Sequence, residues 1–373
     1  MIRPALAILA AVAALALVGA QSALAHGHHS GRGGVVFVQT NEPSGNKIDV
    51  FDPGSDGRLT LAGTYPTGGL GGVAAPGAES DHLASQDSLA LTESGKTLIA
   101  VNAGSDTVTS FRVHGDRLQL RSIVSSGGQF PASVAVHDRL VYVLNSGGTG
   151  IVQGYWIRGS RLVAIPGSAR SLGLANSDPP NFLTAPGQAG FTPDGSKLLV
   201  TTKASTSSID VFSVGHDGRL SASPVVNPSA TPVPFAFTFG SGRLVDGEAG
   251  ASSVTTYAID AGGTLSDPRS ATDGQTALCW ILRVGDVYYV SNTGSNDLSS
   301  FTVDSSGQPA LLQAIAATTN AGPIDLATSG GYLYAETGTN GTVDEFAVNG
   351  DGTLTSIGTV AGLPPGLEGI AAN

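Results

Sequence analysis

The chain repeats itself, and the repeat decides what it can fold into. In Gly195–Leu220 an apolar segment ends in a small polar loop, a segment rich in β-branched residues follows, and an Asp-Gly turn delivers the chain to a Leu. Apolar runs bounded by such turns are strands and hairpins. The same order is found at Leu98–Phe111, Val141–Gly148, Tyr288–Ser295 and Leu333–Thr339, and the turn-and-Leu signal falls at Leu59, Leu118, Leu162, Leu220, Leu265, Leu311 and Leu354. Most intervals between these Leu residues are 43 to 46, and two, of 59 and 58, are one repeat plus an insertion. A period of this length built from short strands predicts propeller blades, whereas helical repeats would show 3.6-residue periodicity and fewer than the 52 glycines present.

Seven repeats predict an all-β, seven-bladed β-propeller spanning residues 35–373. Val35–Thr40, Lys47–Asp52 and Leu59–Thr64 make only three strands of the first blade, while Gly366–Ala372 resembles the opening strands at Asp87–Leu91 and Ala132–Val136. The C-terminal segment is therefore expected to pair with the N-terminal strands and close the ring, which removes sheet edges. The other blades are expected to begin near Asp87, Ala132, Gly187, Pro234, Ala277 and Pro323. Counting strands outward from the axis puts the loops after second and fourth strands on one face, here called the top. Both insertions, 66–86 and 166–186, fall there, and long loops in compact domains are commonly lids or binding loops.

Arg3, the apolar run Ala5–Gly19 and Ala23-Leu24-Ala25 read as a signal peptide, residues 1–25, cleaved before His26. The expectation is a secreted or periplasmic protein that does not span the membrane. A flexible leader, residues 26–34, follows. Cleavage would place His28 third from the new amino terminus, a geometry suited to Cu(II) or Ni(II), but the favoured reading of the leader is a solvated linker. A net charge of −11 excludes nucleic acid and anionic membrane surfaces as expected partners. Cys279 is the single cysteine, so no intramolecular disulfide forms and a monomer stabilised by its core is expected. No cofactor and no metal site are expected.

Sorting the histidines by face leaves His82 on top, outside the leader, within Glu79-Ser-Asp-His82. It is the imidazole expected at the channel mouth for proton transfer. The ends of the second strands read Asn41, Asn102, Asn145, Lys203, Glu248, Asn292 and Glu336, where Asn caps the following bend and the charged residues depart from that default. Glu368, at the start of the closing strand, is expected at the same axis. On this reading His82, Glu248 and Lys203 are the catalytic candidates, and Glu336, Glu368, Gln188 and Arg170 line the ligand site, with Arg269 a further cation.

The motifs Thr192-Pro-Asp-Gly-Ser-Lys-Leu-Leu-Val200, Tyr289-Val-Ser-Asn-Thr-Gly294 and Asp246-Gly-Glu-Ala-Gly250 resemble the lactonase family of seven-bladed propellers, which includes 6-phosphogluconolactonase and the 3-carboxy-cis,cis-muconate lactonizing enzymes; the repeats are also similar to those named after Tyr-Val-Thr-Asn. The resemblance covers nearly all of the chain after residue 34. It implies a site combining a histidine, two arginines and a glutamate, with Glu248 at the glutamate position. Where the family carries its histidine motif this chain has Pro186-Gly-Gln188, and Pro234-Phe235 and Ser291-Asn-Thr-Gly294 stand where it carries arginines. Two functions are consistent with this: a lactonase or lactonizing enzyme acting on a small lactone or carboxylate, or a non-catalytic propeller that binds a ligand or an envelope partner through its top face.

Overall fold

The computed structural model describes residues 34–75 and 78–373. The expected signal peptide and almost all of the leader lie outside the described residues. Seven antiparallel sheets are arranged in a ring, six of four strands and one, the third, carrying the extra short strand Arg170–Ser171. The innermost strands are Ile370–Ala372, Leu89–Leu91, Pro131–His137, Gln188–Phe191, Pro234–Gly240, Leu278–Val284 and Pro323–Ser329. Blade starts agree with the sequence reading to within about two residues.

Ring closure takes the form the orphan three-stranded start demanded. Val36, Phe37 and Val38 pair with Ala372, Ala371 and Ile370, so the first blade is built from both ends of the propeller. Beside this ladder, Val35 N–H donates to Asn373 Oδ1 at 2.8 Å and Asn373 N–H donates to the Val35 carbonyl at 3.2 Å.

Each second strand is buried along its length or along all but its first residue, as in Thr97–Asn102 and Arg243–Glu248, because it lies in the middle of a sheet covered on both faces by neighbouring blades. Its near-continuous apolar run has the same cause. The fourth strands alternate exposed and part-buried residues because they form the rim. The core is thus divided into inter-blade slabs; between blades three and four, for example, Tyr142, Leu144, Phe191, Leu198 and Phe212 interlock.

Leu367 and Ile370 of the closing segment are buried, and burying each side chain is worth about 1.5–3 kcal/mol. Deleting residues 364–373 removes both and frees two sheet edges. The truncated chain is expected to melt roughly 10 °C lower by calorimetry, and an unchanged transition would disprove closure by this strand.

Candidate functional site

The two top-face insertions do not stand apart as loops. Ala75 N–H donates to the Pro180 carbonyl and Phe182 N–H to the Ala75 carbonyl, so they form one cap. Lys203 fastens it: Nζ donates to the carbonyls of Ala84, in the first insertion, and Phe182, in the second, at 2.5 and 2.6 Å, and lies 4.8 Å from the Phe235 ring centroid.

Lys203 is 1% exposed. Its surroundings explain how a charge survives there. Burial pulls its pKa down to about 8, and the neighbouring Asp81, Cys279 and Glu368 work against that fall. Asp81 and Glu368 are themselves pushed up, by burial first and, for Glu368, by the charge of Asp81 next. Glu368 also accepts from the backbone N–H groups of Leu83 and Ser85. The Cys279 thiol, pushed up to about 12 by burial, is not a nucleophile at neutral pH.

From this anchor the chain crosses the axis and shuts the top of the channel. Ser85 Oγ donates to the Ala132 carbonyl of blade three, and its own carbonyl accepts Trp280 Nε1–H from blade six. Gln86 N–H reaches the Gly187 carbonyl of blade four, while its side-chain amide exchanges two hydrogen bonds with the backbone of Ile281 in blade six. Just below, the inner edges are stitched together: Val134 N–H to the Asp87 carbonyl, Ala189 N–H to Ser133 Oγ, and Phe237 N–H to Gln188 Oε1. The channel mouth expected on the top face is therefore filled by residues 81–88.

Beneath this seal lies a cavity of about 410 Å³ lined by all seven innermost strands, from Asp87 and Gln188 at its closed end to Phe191, Phe239, Thr328 and Ala372 toward the bottom face. Asp87 Oδ2 accepts from Gln188 Nε2 at 2.6 Å, and burial raises its pKa to about 6. Asp325 stands behind it, its carboxyl pushed well up by burial and then by the charge of Asp87. Glu336 continues the series, raised by burial and by Asp325, with Oε2 accepting from Gly369 N–H at 2.8 Å and Oε1 unpartnered. A row of buried acids thus runs from Lys203 through Asp81, Glu368, Glu336 and Asp325 to Asp87, where it meets open space.

The sequence-derived candidates divide accordingly. Lys203, Glu368, Glu336 and Gln188 do converge on the axis, though only Gln188 lines the cavity. Glu248 does not join them: its carboxylate is fully buried and accepts from Ser229, Tyr257, Thr231, Ser253 and Thr255, which holds it between blades four and five. Arg170 directs its donors to the carbonyls of Ser221, Leu220, Gly167 and Ala169 and ties blades three and four together. Arg269 pairs with Asp267 on an outer strand. His82 sits at the top surface beside the cap, half-buried, with Nδ1 unpartnered and its pKa lowered by burial. Its ring occupies the place a side chain at residue 366 would take, since a Cβ on Gly366 would lie 1.8 Å from Cε1.

Three corrections concern register. The hairpin position held by Asn102, Asn145, Glu248 and Asn292 is held in blade one by Thr40, which bonds Lys47, in blade four by Thr202, which bonds Ser208, and in blade seven by Thr337, which pairs with Thr342. Asn41 and Lys203 lie one residue after it and Glu336 one before. A one-residue shift in a strand turns the side chain to the other face. Asp87 and Asp81 were missed because an Asp in a polar loop reads as a turn former; their distinguishing signal was position, directly before the innermost strand and within the only histidine-bearing insertion.

The fold is that of a seven-bladed β-propeller. Among solved structures the chain is similar to a protein from Lactobacillus plantarum (18% identity, 91% of this chain and 99% of that one, TM-score 0.70) and to a provisionally assigned 6-phosphogluconolactonase from Bacteroides uniformis (18%, 92% and 100%, 0.69). It is equally similar to the periplasmic gluconolactonase PpgL of Pseudomonas aeruginosa (18%, 91% and 98%, 0.68). No protein-family profile and no curated protein sequence matches it. Among the described residues no group of three or more His, Cys, Asp or Glu side chains is arranged to hold a metal ion, and no helix is long and apolar enough to cross a membrane.

The Lys203 clamp makes its own prediction. Lys203→Ala strands the Asp81–Glu368 pair and two carbonyls, and should cost about 3–5 kcal/mol in denaturant titration. The depressed pKa means the unfolded chain binds more protons between pH 8 and 10.5, so the wild type gains stability from this group as pH rises through that window. In Lys203→Met that gain should vanish, and its persistence would show that Lys203 does not titrate as described.

Proposed function

We propose that the protein is an extracytoplasmic lactonase acting on an unphosphorylated sugar-acid lactone, with the reaction taking place in the channel cavity. The observation that carries this reading is Asp87: a carboxyl of pKa about 6, held by Gln188, at the closed end of a cavity of about 410 Å³. That volume is within the usual range for small-molecule sites. A carboxylate with this basicity takes a proton from water near neutral pH, as general-base chemistry requires. The hydroxide equivalent adds to the lactone carbonyl, the ring C–O bond breaks, and Asp87 returns the proton to the departing hydroxyl.

The lining supports the substrate class. Inner strands present edge N–H and C=O groups to the axis, donors and acceptors suited to a polyol and to a developing oxyanion. No Lys or Arg lines this cavity. A phosphate or second carboxylate on the substrate would face Asp87 without a counter-charge, which favours a neutral lactone. Likeness to the gluconolactonase and phosphogluconolactonase structures supports the reaction type, and the apolar run and Ala-Leu-Ala sequence before His26 support export.

The test is hydrolysis of glucono-δ-lactone, corrected for spontaneous opening. Asp87→Asn is expected to lower kcat/KM by about 10²- to 10⁴-fold. The wild-type profile should rise with pH and level off above an apparent pKa near 6. Turnover unaffected by Asp87→Asn but lost in His82→Ala would move the reaction to the top-face histidine. No turnover by the wild type, with the lactone still bound, would replace catalysis with ligand binding.

A further inference from the structure

Beside the channel cavity, and meeting it at Phe239, the bottom face carries a groove of about 560 Å³ between blades four, five and six. Three cations from three different strands line it: Lys197, Arg243 and Arg283. We infer that this groove is a separate binding site for a sugar-acid anion.

The charges that face it decide the sign. Asp194 and Asp260 also line the groove and stay ionised, each with Oδ1 engaged in its own turn: Asp194 Oδ1 accepts from Thr192 Oγ1, Ser196 N–H and Ser196 Oγ, and Asp260 Oδ1 accepts from Thr264 N–H, so the three cations of the lining outnumber its two carboxylates. Hydrogen bonding from Thr192 and Ser196 holds Asp194 at a pKa of about 2, so it stays ionised beside Lys197. Arg243 is braced from one side by Asp267 and Thr256, and Arg283 by Asp286 and the Gly285 and Phe239 carbonyls. These braces fix the guanidinium planes and leave further N–H donors. Among the described residues Lys197 Nζ has no ion pair and no hydrogen bond, so it brings an uncommitted ammonium to the same wall.

Charged hydrogen bonds from a fixed guanidinium and an ammonium are the usual means of holding a carboxylate. The groove hydroxyl of Ser241 and the backbone amide of Gly242 suit the hydroxyls of a sugar chain. Lactone opening in the channel creates such an anion next to Asp87, which repels it, a few residues from a groove that attracts it. The inference rests on the channel reading for the identity of the anion alone; the groove's charge does not depend on it.

Binding of sodium gluconate to the full chain by isothermal titration separates the two sites. Lys197→Glu is expected to weaken it by about tenfold or more, Lys197→Gln by less, and Asp87→Asn to leave it unchanged. Rising salt should weaken wild-type binding. Gluconate binding that survives Lys197→Glu but is altered by Asp87→Asn would put the anion in the channel and overturn the groove. Absence of millimolar binding by the wild type would overturn it as well, and neither result would touch the lactone assay.

Discussion

Seven sheets meeting edge-on at one axis leave seven rows of backbone N–H and C=O groups facing one another across a gap too wide to pair. The whole architecture answers to that constraint. At the top the gap is bridged by side chains and one crossing segment: Gln86 for Ile281, Ser133 for Ala189, Gln188 for Phe237. Below them no bridge is made, and the remaining space is the cavity. The cap and the candidate site are two answers to one problem.

The crossing segment is expensive to hold. A nearly unexposed ammonium, two backbone carbonyls and two buried carboxyl groups are brought together at its root. Such groups are tolerated only when each is paired, and removing one leaves the others stranded. Lys203 and Glu248, read alike from sequence as reactive charges, are both explained by this bonding: one pins the cap, the other is enclosed by five hydroxyls between blades.

Much of the fold was legible because propeller geometry imposes a period on the chain. Turns recur where sheets must reverse, second strands are apolar throughout because they are covered twice, and the missing strand at the start had one matching segment, at the end. The site was legible only in part. Strand order assigns a face and a radius to each position, and of the residues read as candidates Gln188 lines the cavity. Which of them touches open space depends on how the 81–88 segment lies, and that is fixed by hydrogen bonds to blades three, four and six whose partners are about 50 to 200 residues away. Local patterns carry no record of such contacts. Register was the other loss, since Thr202 and Thr337 are unremarkable residues next to more conspicuous ones.

The first blade is made of the earliest strands of the propeller and the last. Val36 to Val38 wait for Ile370 to Ala372, so the ring cannot close before the strand at 370–372 has been made. Blades two to seven can fold as they emerge, each against the one before, but the axis stays open and the first sheet stays unfinished until the final three-residue strand arrives. For a growing chain this is a built-in delay: the sheet begun by Val36 to Val38 stays open-edged until its distant partner strand is available to lock it.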